Sequence, residues 1–179
     1  SLLNIQTEYL QDASVIGAIL ESQSRVKAMA LIHQLLYQEE NLTRIDFGSY
    51  LRQLSTALSG IFKKPEMKVD TEIEAEQVFL DIDTAIPLGL VVTELVSNAY
   101  KYAFNDSKQG IIKIAMNRSE GRTYELAVSD NGKGLPESFS IDQSSSMGLK
   151  LVRILTDQIE GNLTFHSEGG THFTLTFKE

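Results

Sequence analysis

Glu94, Asn98 and Lys101 stand at i, i+4 and i+7 and so share one face of a helix read over about 85–104. A carboxylate, a neutral amide and an ammonium on one face suit a metal–phosphate group. The amide oxygen can ligate a hard cation, and the lysine can meet phosphate charge. Val91, Leu95, Ala99 and Tyr102 are read as much of the opposite, buried side. A solvated face of an amphipathic helix would carry the same letters. Asp130-Asn131-Gly132-Lys133-Gly134-Leu135-Pro136 follows a strand read at 124–129. A carboxylate at a strand end can accept a hydrogen bond from an exocyclic amine such as that of adenine. Gly132 and Gly134 let the backbone pass close to a flat ring, although a plain Asx-Gly turn has the same composition. Ser146-Met147-Gly148-Leu149-Lys150 runs from a polar loop into a helix start, where free N–H groups favour anions and Lys150 adds charge. Gly169-Gly170-Thr171 enters the last strand and reads equally well as a hairpin turn.

These segments need a scaffold that brings them together, and the periodicity supplies one. The first 37 residues lack proline and read as a helical tail over 1–10, a break near Gln11–Asp12 and a long helix to about Gln38. Its main apolar stripe is Val15, Ile19, Val26, Met29, Leu36 and Tyr37, with Leu31, Ile32 and Leu35 off it, so a partner helix or second subunit is expected. Asn41–Phe47 reads as a connector, and Tyr50–Phe62 as a further amphipathic helix. Beyond Pro65 the period shortens to two over 67–74 and 77–82. A helix over 85–104 follows, with Thr84 as cap and Pro87 in its first turn. Strands at 111–116 and 124–129, a polar stretch over 143–146, a helix over 148–160 capped by Gly161, and strands at 162–167 and 171–178 complete the chain. The order predicts an α+β chain: a helical leader, then an α/β sandwich whose mixed sheet is covered on one face by helices.

Composition removes other classes. The 179 residues include no cysteine, which excludes disulfides, thiol nucleophiles and thiolate metal sites and fits a reducing cytoplasm. A net charge of −8, from 24 acidic and 16 basic side chains, disfavours nucleic acid as a partner. Apolar runs are short, so no membrane contact is expected. The chain opens on Ser1 within an apolar pattern, which reads as a piece of a longer protein.

In this order the four segments resemble the nucleotide-binding boxes of the GHKL (Bergerat-fold) ATP-binding superfamily. ELVSNAYKYAF matches its N box, DNGKGLP its first glycine box, MGLKLV its second, and Gly170–Thr171 its closing strand, together covering about 65–179. The leader SRVKAMALIHQLLYQEENLTRIDFGSYLRQL resembles the second dimerisation helix and connector of HisKA_2-type sensor histidine kinases. The resemblance implies a dimerisation remnant at 1–45 and a catalytic domain at 46–179. It implies Mg-ATP with adenine on Asp130, Mg²⁺ on Asn98, Thr171 supporting the adenine end, and Lys101 and Tyr102 on the phosphate or ribose side. Gly132, Gly134, Gly148, Leu149 and Lys150 complete the implied nucleotide site. Glu94 is implied as the base or polarising group for an acceptor histidine upstream of Ser1, so this fragment would not autophosphorylate. His33, on the apolar stripe, is read as a packed imidazole rather than the acceptor. A homodimer through the helices and a response-regulator receiver domain are the implied partners. Only Gly148 remains of the usual second glycine set, and no separate F box appears between Pro136 and Ser146. A GHKL-type ATPase, in which Glu94 activates water, is the alternative.

Overall fold

The structure is a computed structural model that describes residues 13–38, 44–75, 78–104, 109–119, 121–136, 139–141 and 146–179, without the side chains of 13, 14 and 35–38. The helical tail read over 1–10, the break at Gln11–Asp12, the side chains of Leu35, Leu36 and Tyr37, and the polar stretch 143–145 lie outside the described residues.

Helix α1 (Ala13–Gln38) is followed by a short strand β1 (Arg44–Asp46) and helix α2 (Phe47–Phe62). Asp46 caps α2, accepting the Ser49 N–H at 3.0 Å. Strands β2 (Lys68–Ala75) and β3 (Phe79–Asp81) lead into helix α3 (Ile82–Asn98), which continues as one π-helical turn over Ala99–Ala103. Strands β4 (Gln109–Arg118) and β5 (Thr123–Asp130), helix α4 (Met147–Gln158), and strands β6 (Asn162–His166) and β7 (Thr171–Lys178) complete the order. The main sheet runs β2-β4-β5-β7-β6, with β2 parallel to β4 and every other pair antiparallel, so it is mixed as expected.

The alternation along β5 and β7 fixes which side chains reach the core. Tyr124, Leu126, Val128 and Asp130 point inward on one strand, and Thr171, Phe173, Leu175 and Phe177 on the other. Helix α3 is buried almost all round, from Ala85 to Ser97, because the sheet, α1, α2 and α4 leave it little solvent. This is the one helix, Ile82–Ala103, long and apolar enough to cross a membrane among the described residues, and most of it is core.

Four local expectations change. Strand β1, read as connector, pairs antiparallel with β3, and Arg44 joins Asp81 at 3.4 Å and the Glu179 carboxylate. That pairing joins residues more than thirty positions apart, so local periodicity does not reveal it. Helix α3 starts at Ile82, so Thr84 is not its cap and Pro87 lies buried in its second turn, where its missing N–H spares only the carbonyl of exposed Asp83. At the end of α4 the left-handed residue is Glu160, with φ 51°, while Gly161 follows and donates its N–H to Thr156 at 2.9 Å. Finally, α1 buries Ser24, Ala28, Leu31 and Ile32, whereas Val15, Val26, Met29 and His33 are exposed. The face beneath α1 is already supplied by α2 and α3, and small residues allow closer approach than the expected stripe does. His33 is therefore not the packed imidazole expected of it.

Tyr50 ties these three helices together. It passes over Gly89 of α3, where a Cβ would stand 2.8 Å from ring carbons, and its hydroxyl donates to the Ala28 carbonyl at 3.3 Å. Burial pushes the phenol well above its ordinary value of 10.0. A raised acid favours the folded state below pH 10, and that contribution is lost as pH climbs past the unfolded value. Tyr50→Phe is expected to lose about 1 kcal/mol at pH 7 with its hydrogen bond. Above about pH 10 the wild type loses a further 1.4 kcal/mol or so per pH unit relative to the variant. Urea unfolding of both proteins at pH 7 and pH 11 measures the difference.

Candidate functional site

Asp130 reaches the core face of β5 at the strand's last residue, directly opposite Thr171 in the β5–β7 register. It is 8% exposed, and its Oδ1 accepts the N–H of Gly132 at 2.9 Å and of Thr171 at 3.4 Å. Those bonds orient the carboxylate and leave Oδ2 without a donor among the described residues. It borders a cavity of about 580 Å³, bounded on one side by Leu95, Asn98 and the π turn, and on the other by Val128, Thr171 and Phe173. Lys133, Gly134, Leu135, Pro136 and Phe139 form its loop wall, and Ser146 and Leu149 close the α4 end. An apolar slot with one oriented carboxylate suits a flat heterocycle bearing an amine.

The loop is fixed at both flanks. Asn131 donates its N–H to Ile111 at 3.2 Å and accepts the Ile111 N–H at 2.7 Å, and Lys133 donates to the Ala103 carbonyl at 3.0 Å. Gly134 has φ 72°, a conformation that glycine adopts without strain. The next residue, Leu135, donates its N–H to Ser167 Oγ at 2.6 Å, which ties the loop to the β6–β7 hairpin.

Of the residues read from the sequence, Asn98, Tyr102, Asp130, Gly134, Leu149 and Thr171 line this one cavity. Gly132 packs behind the wall, where a Cβ would stand 2.5 Å from the Ala103 Cβ. Lys150 is exposed on α4 and is not part of the lining. The Asn98 side chain makes no hydrogen bond among the described residues, so its amide is available to the cavity.

Helix α3 presents its faces differently from the amphipathic reading. Val91, Leu95 and Ala99 are buried as expected, the last two against the cavity, whereas Tyr102, expected with them, is 59% exposed at the cavity. Glu94 is 2% exposed and turns toward α1, where its Oε1 accepts the Arg25 Nε–H at 2.6 Å. Its Oε2 lies beside Gly148 at the start of α4, only 2.5 Å from where a Cβ would stand. Lys101 pairs with Glu21 of α1 and lies 5.4 Å from the centre of the Phe62 ring. Two causes account for this: α1 covers the Glu94 side, and the π turn changes the angular step after Asn98. The hydrogen bond that Arg25 donates to Glu94 raises the Arg25 pKa, against the opposing effect of burial. Arg25 escaped the sequence reading because its partner is 69 residues away. Ser167, Phe139 and Phe173 carry no local signal of a site beyond the polar Ser167-Glu168 pair ahead of Gly169-Gly170.

No group of three or more His, Cys, Asp or Glu side chains able to hold a metal occurs among the described residues. A cation here would have to share its ligands with a phosphate, which fits one free amide beside a cavity large enough for a nucleotide.

The family described as "Histidine kinase" (HisKA_2) matches residues 1–62, and that described as "Histidine kinase-, DNA gyrase B-, and HSP90-like ATPase" matches residues 83–179. The sensor histidine kinase PdtaS of Mycolicibacterium smegmatis is 34% identical across 98% of this chain and 35% of its own length. The blue-light-activated histidine kinase 2 of Erythrobacter litoralis is 29% identical across 96% of this chain and 49% of its own. The chain thus spans between about a third and a half of these relatives. The solved structure of the Erythrobacter litoralis EL346 blue-light activated histidine kinase superposes with a TM-score of 0.77 at 26% identity, over 94% of this chain and 52% of that one. The cavity between α3, the glycine loop and the β5–β7 edge lies within the segment of the second match, and the chain belongs to the sensor histidine kinases of the HisKA_2 type with a GHKL ATP-binding domain.

Proposed function

We propose that this chain is the catalytic core of a two-component sensor kinase that binds Mg-ATP and phosphorylates a histidine outside residues 1–179. The observation that carries the reading is the Asp130 carboxylate, oriented through Oδ1 and open through Oδ2, across a cavity from the uncommitted amide of Asn98. Asp130 accepts the adenine amine, Thr171 supports that end, and Leu95, Ala99 and Leu149 hold the ring. Tyr102 and Lys133 stand toward the ribose and phosphates, with Gly132, Gly134, Gly148 and Lys150 shaping the surrounding backbone and charge. Mg²⁺ on Asn98 would supply neutralisation of phosphate charge. The chain's own part is positioning, with Glu94 polarising the acceptor imidazole once it is free to do so. The imidazole nitrogen bonds to the γ-phosphorus as the bond to the ADP oxygen breaks.

The same reading divides the chain into a dimerisation segment at 1–45 and a catalytic unit at 46–179. It places the outward Val15, Val26 and Met29 of α1 in a homodimer seam, on the cytoplasmic side of the cell. A receiver domain then takes the phosphoryl group onto an aspartate.

The full-length protein, given ATP labelled at the γ-phosphate and Mg²⁺, is expected to acquire acid-labile, base-stable label, whereas residues 1–179 alone bind nucleotide without becoming labelled. Label appearing only as free phosphate, in an amount that depends on Glu94, establishes the hydrolytic alternative instead. Label on His33 overturns the placing of the acceptor outside this chain.

A further inference from the structure

Four charged side chains cross the α1–α3 contact. Arg25 Nε meets Glu94 Oε1 at 2.6 Å, Arg25 Nη2 lies 3.8 Å from Glu21 Oε2, and Glu21 Oε1 meets Lys101 Nζ. The chain of contacts therefore runs Glu94, Arg25, Glu21, Lys101. It engages both charged members of the Glu94–Asn98–Lys101 set and leaves only the amide facing the cavity.

We infer that α1, docked in this position, is an inhibitory latch that competes with the phosphates of the nucleotide for Lys101 and withholds Glu94 from the acceptor. This rests on the ATP-binding reading above. Three observations support it. Glu94 is nearly sealed, and a carboxylate already accepting a charge-assisted hydrogen bond from a guanidinium is a poor partner for an imidazole proton. Lys101 is held against Glu21 and Phe62, away from the cavity that its neighbours Asn98 and Tyr102 line. The latch also has a built-in weakness, because Arg25 Nη2 is buried with no hydrogen-bond partner among the described residues and only the longer 3.8 Å ion pair to Glu21, so the docked state bears a desolvation cost that release removes.

Docking and phosphate binding draw on one lysine, so they are linked, and each must weaken the other by the same factor. The measurement is calorimetric titration of residues 1–179 with Mg-ATP, Mg-ADP and adenosine. Glu21→Gln keeps the side chain's size and removes its charge. It is expected to raise affinity for ATP about three- to tenfold, for ADP less, and for adenosine not at all. In a Lys101→Met background the same substitution is expected to have no effect, closing a double-mutant cycle on that pair. In the full-length protein Glu21→Gln is expected to speed histidine phosphorylation, and Mg-ATP to accelerate amide exchange across residues 21–32.

An unchanged or weakened ATP affinity in Glu21→Gln overturns the latch, as does an equal gain for adenosine, which would indicate general loosening. Slower phosphorylation with ATP affinity raised as expected overturns the inhibitory part and makes the contact a positioning one. Failure of wild-type 1–179 to bind ATP defeats the nucleotide reading itself, and the latch with it. Wild-type binding that depends on Asp130, together with no Glu21 effect, defeats the latch alone.

Discussion

Asp130→Asn is expected to raise the Kd for ATP about a hundredfold while improving relative binding of inosine triphosphate. The geometry makes this sharper than a simple loss of charge. Oδ1 of Asp130 is occupied by the N–H groups of Gly132 and Thr171. An asparagine satisfies those same donors with its own oxygen, so the loop and the β5–β7 edge keep their anchor. Its amide nitrogen must then take the place of Oδ2 and point two N–H donors at the amine of adenine. A lost charge-assisted hydrogen bond is worth about 1.5–3 kcal/mol, or roughly ten- to 150-fold in affinity. A purine with a carbonyl in place of the amine meets the same amide as an acceptor, so its binding improves relative to ATP. Titration of both nucleotides against wild type and variant measures the crossover. Equal losses for both would place the base elsewhere in the cavity.

Much of this site is legible in the sequence, because its parts are local in kind. Asp130 at a strand end and Thr171 at a strand start follow from period-two alternation, and their register places them side by side. What the sequence hides is long-range. Arg25 and Glu21 look like ordinary helix surface until α1 lies on α3, and Val15, Val26 and Met29 of the stripe chosen from hydropathy are left exposed. Glu94 shows the same limit from the other side. Helical spacing puts it on one face with Asn98 and Lys101, whereas the packing of α1 and the π turn direct Glu94 and Lys101 toward α1 and leave Asn98 alone at the cavity. Tyr50 over Gly89 is a tertiary fit with no local signature, and β1 needs β3 before it is a strand at all.

The hairpin that carries Thr171 is where a single methyl group does most harm. Gly170 has φ 133°, and a Cβ built there stands 2.8 Å from the Asp130 carbonyl carbon and 2.9 Å from the Asn131 Cα, with the Asp130 carbonyl oxygen closer still. Neither neighbour can yield easily. Asp130 is paired with Thr171 in the sheet, and Asn131 is bonded to Ile111 through both its N–H and its side chain. Strain at a backbone conformation that L residues rarely adopt costs about 1–3 kcal/mol, and overpacking a tight site a further 1–3. Gly170→Ala is therefore expected to lose about 3–5 kcal/mol and, for a chain of this length, roughly 10 °C in Tm. The displaced carbonyl belongs to the residue proposed to hold adenine, so ATP affinity should fall even at temperatures where the variant is fully folded. Gly60→Ala provides the contrast. Gly60 lies within α2 with no atom inside 4 Å of its would-be Cβ, so the added methyl meets open space. Helix propensity then favours alanine by roughly 0.5–1 kcal/mol, and Tm should rise slightly with nucleotide binding unchanged. Thermal melts of the two variants, with and without ATP, test whether close approach at the β5–β7 edge, rather than glycine content as such, is what the site requires.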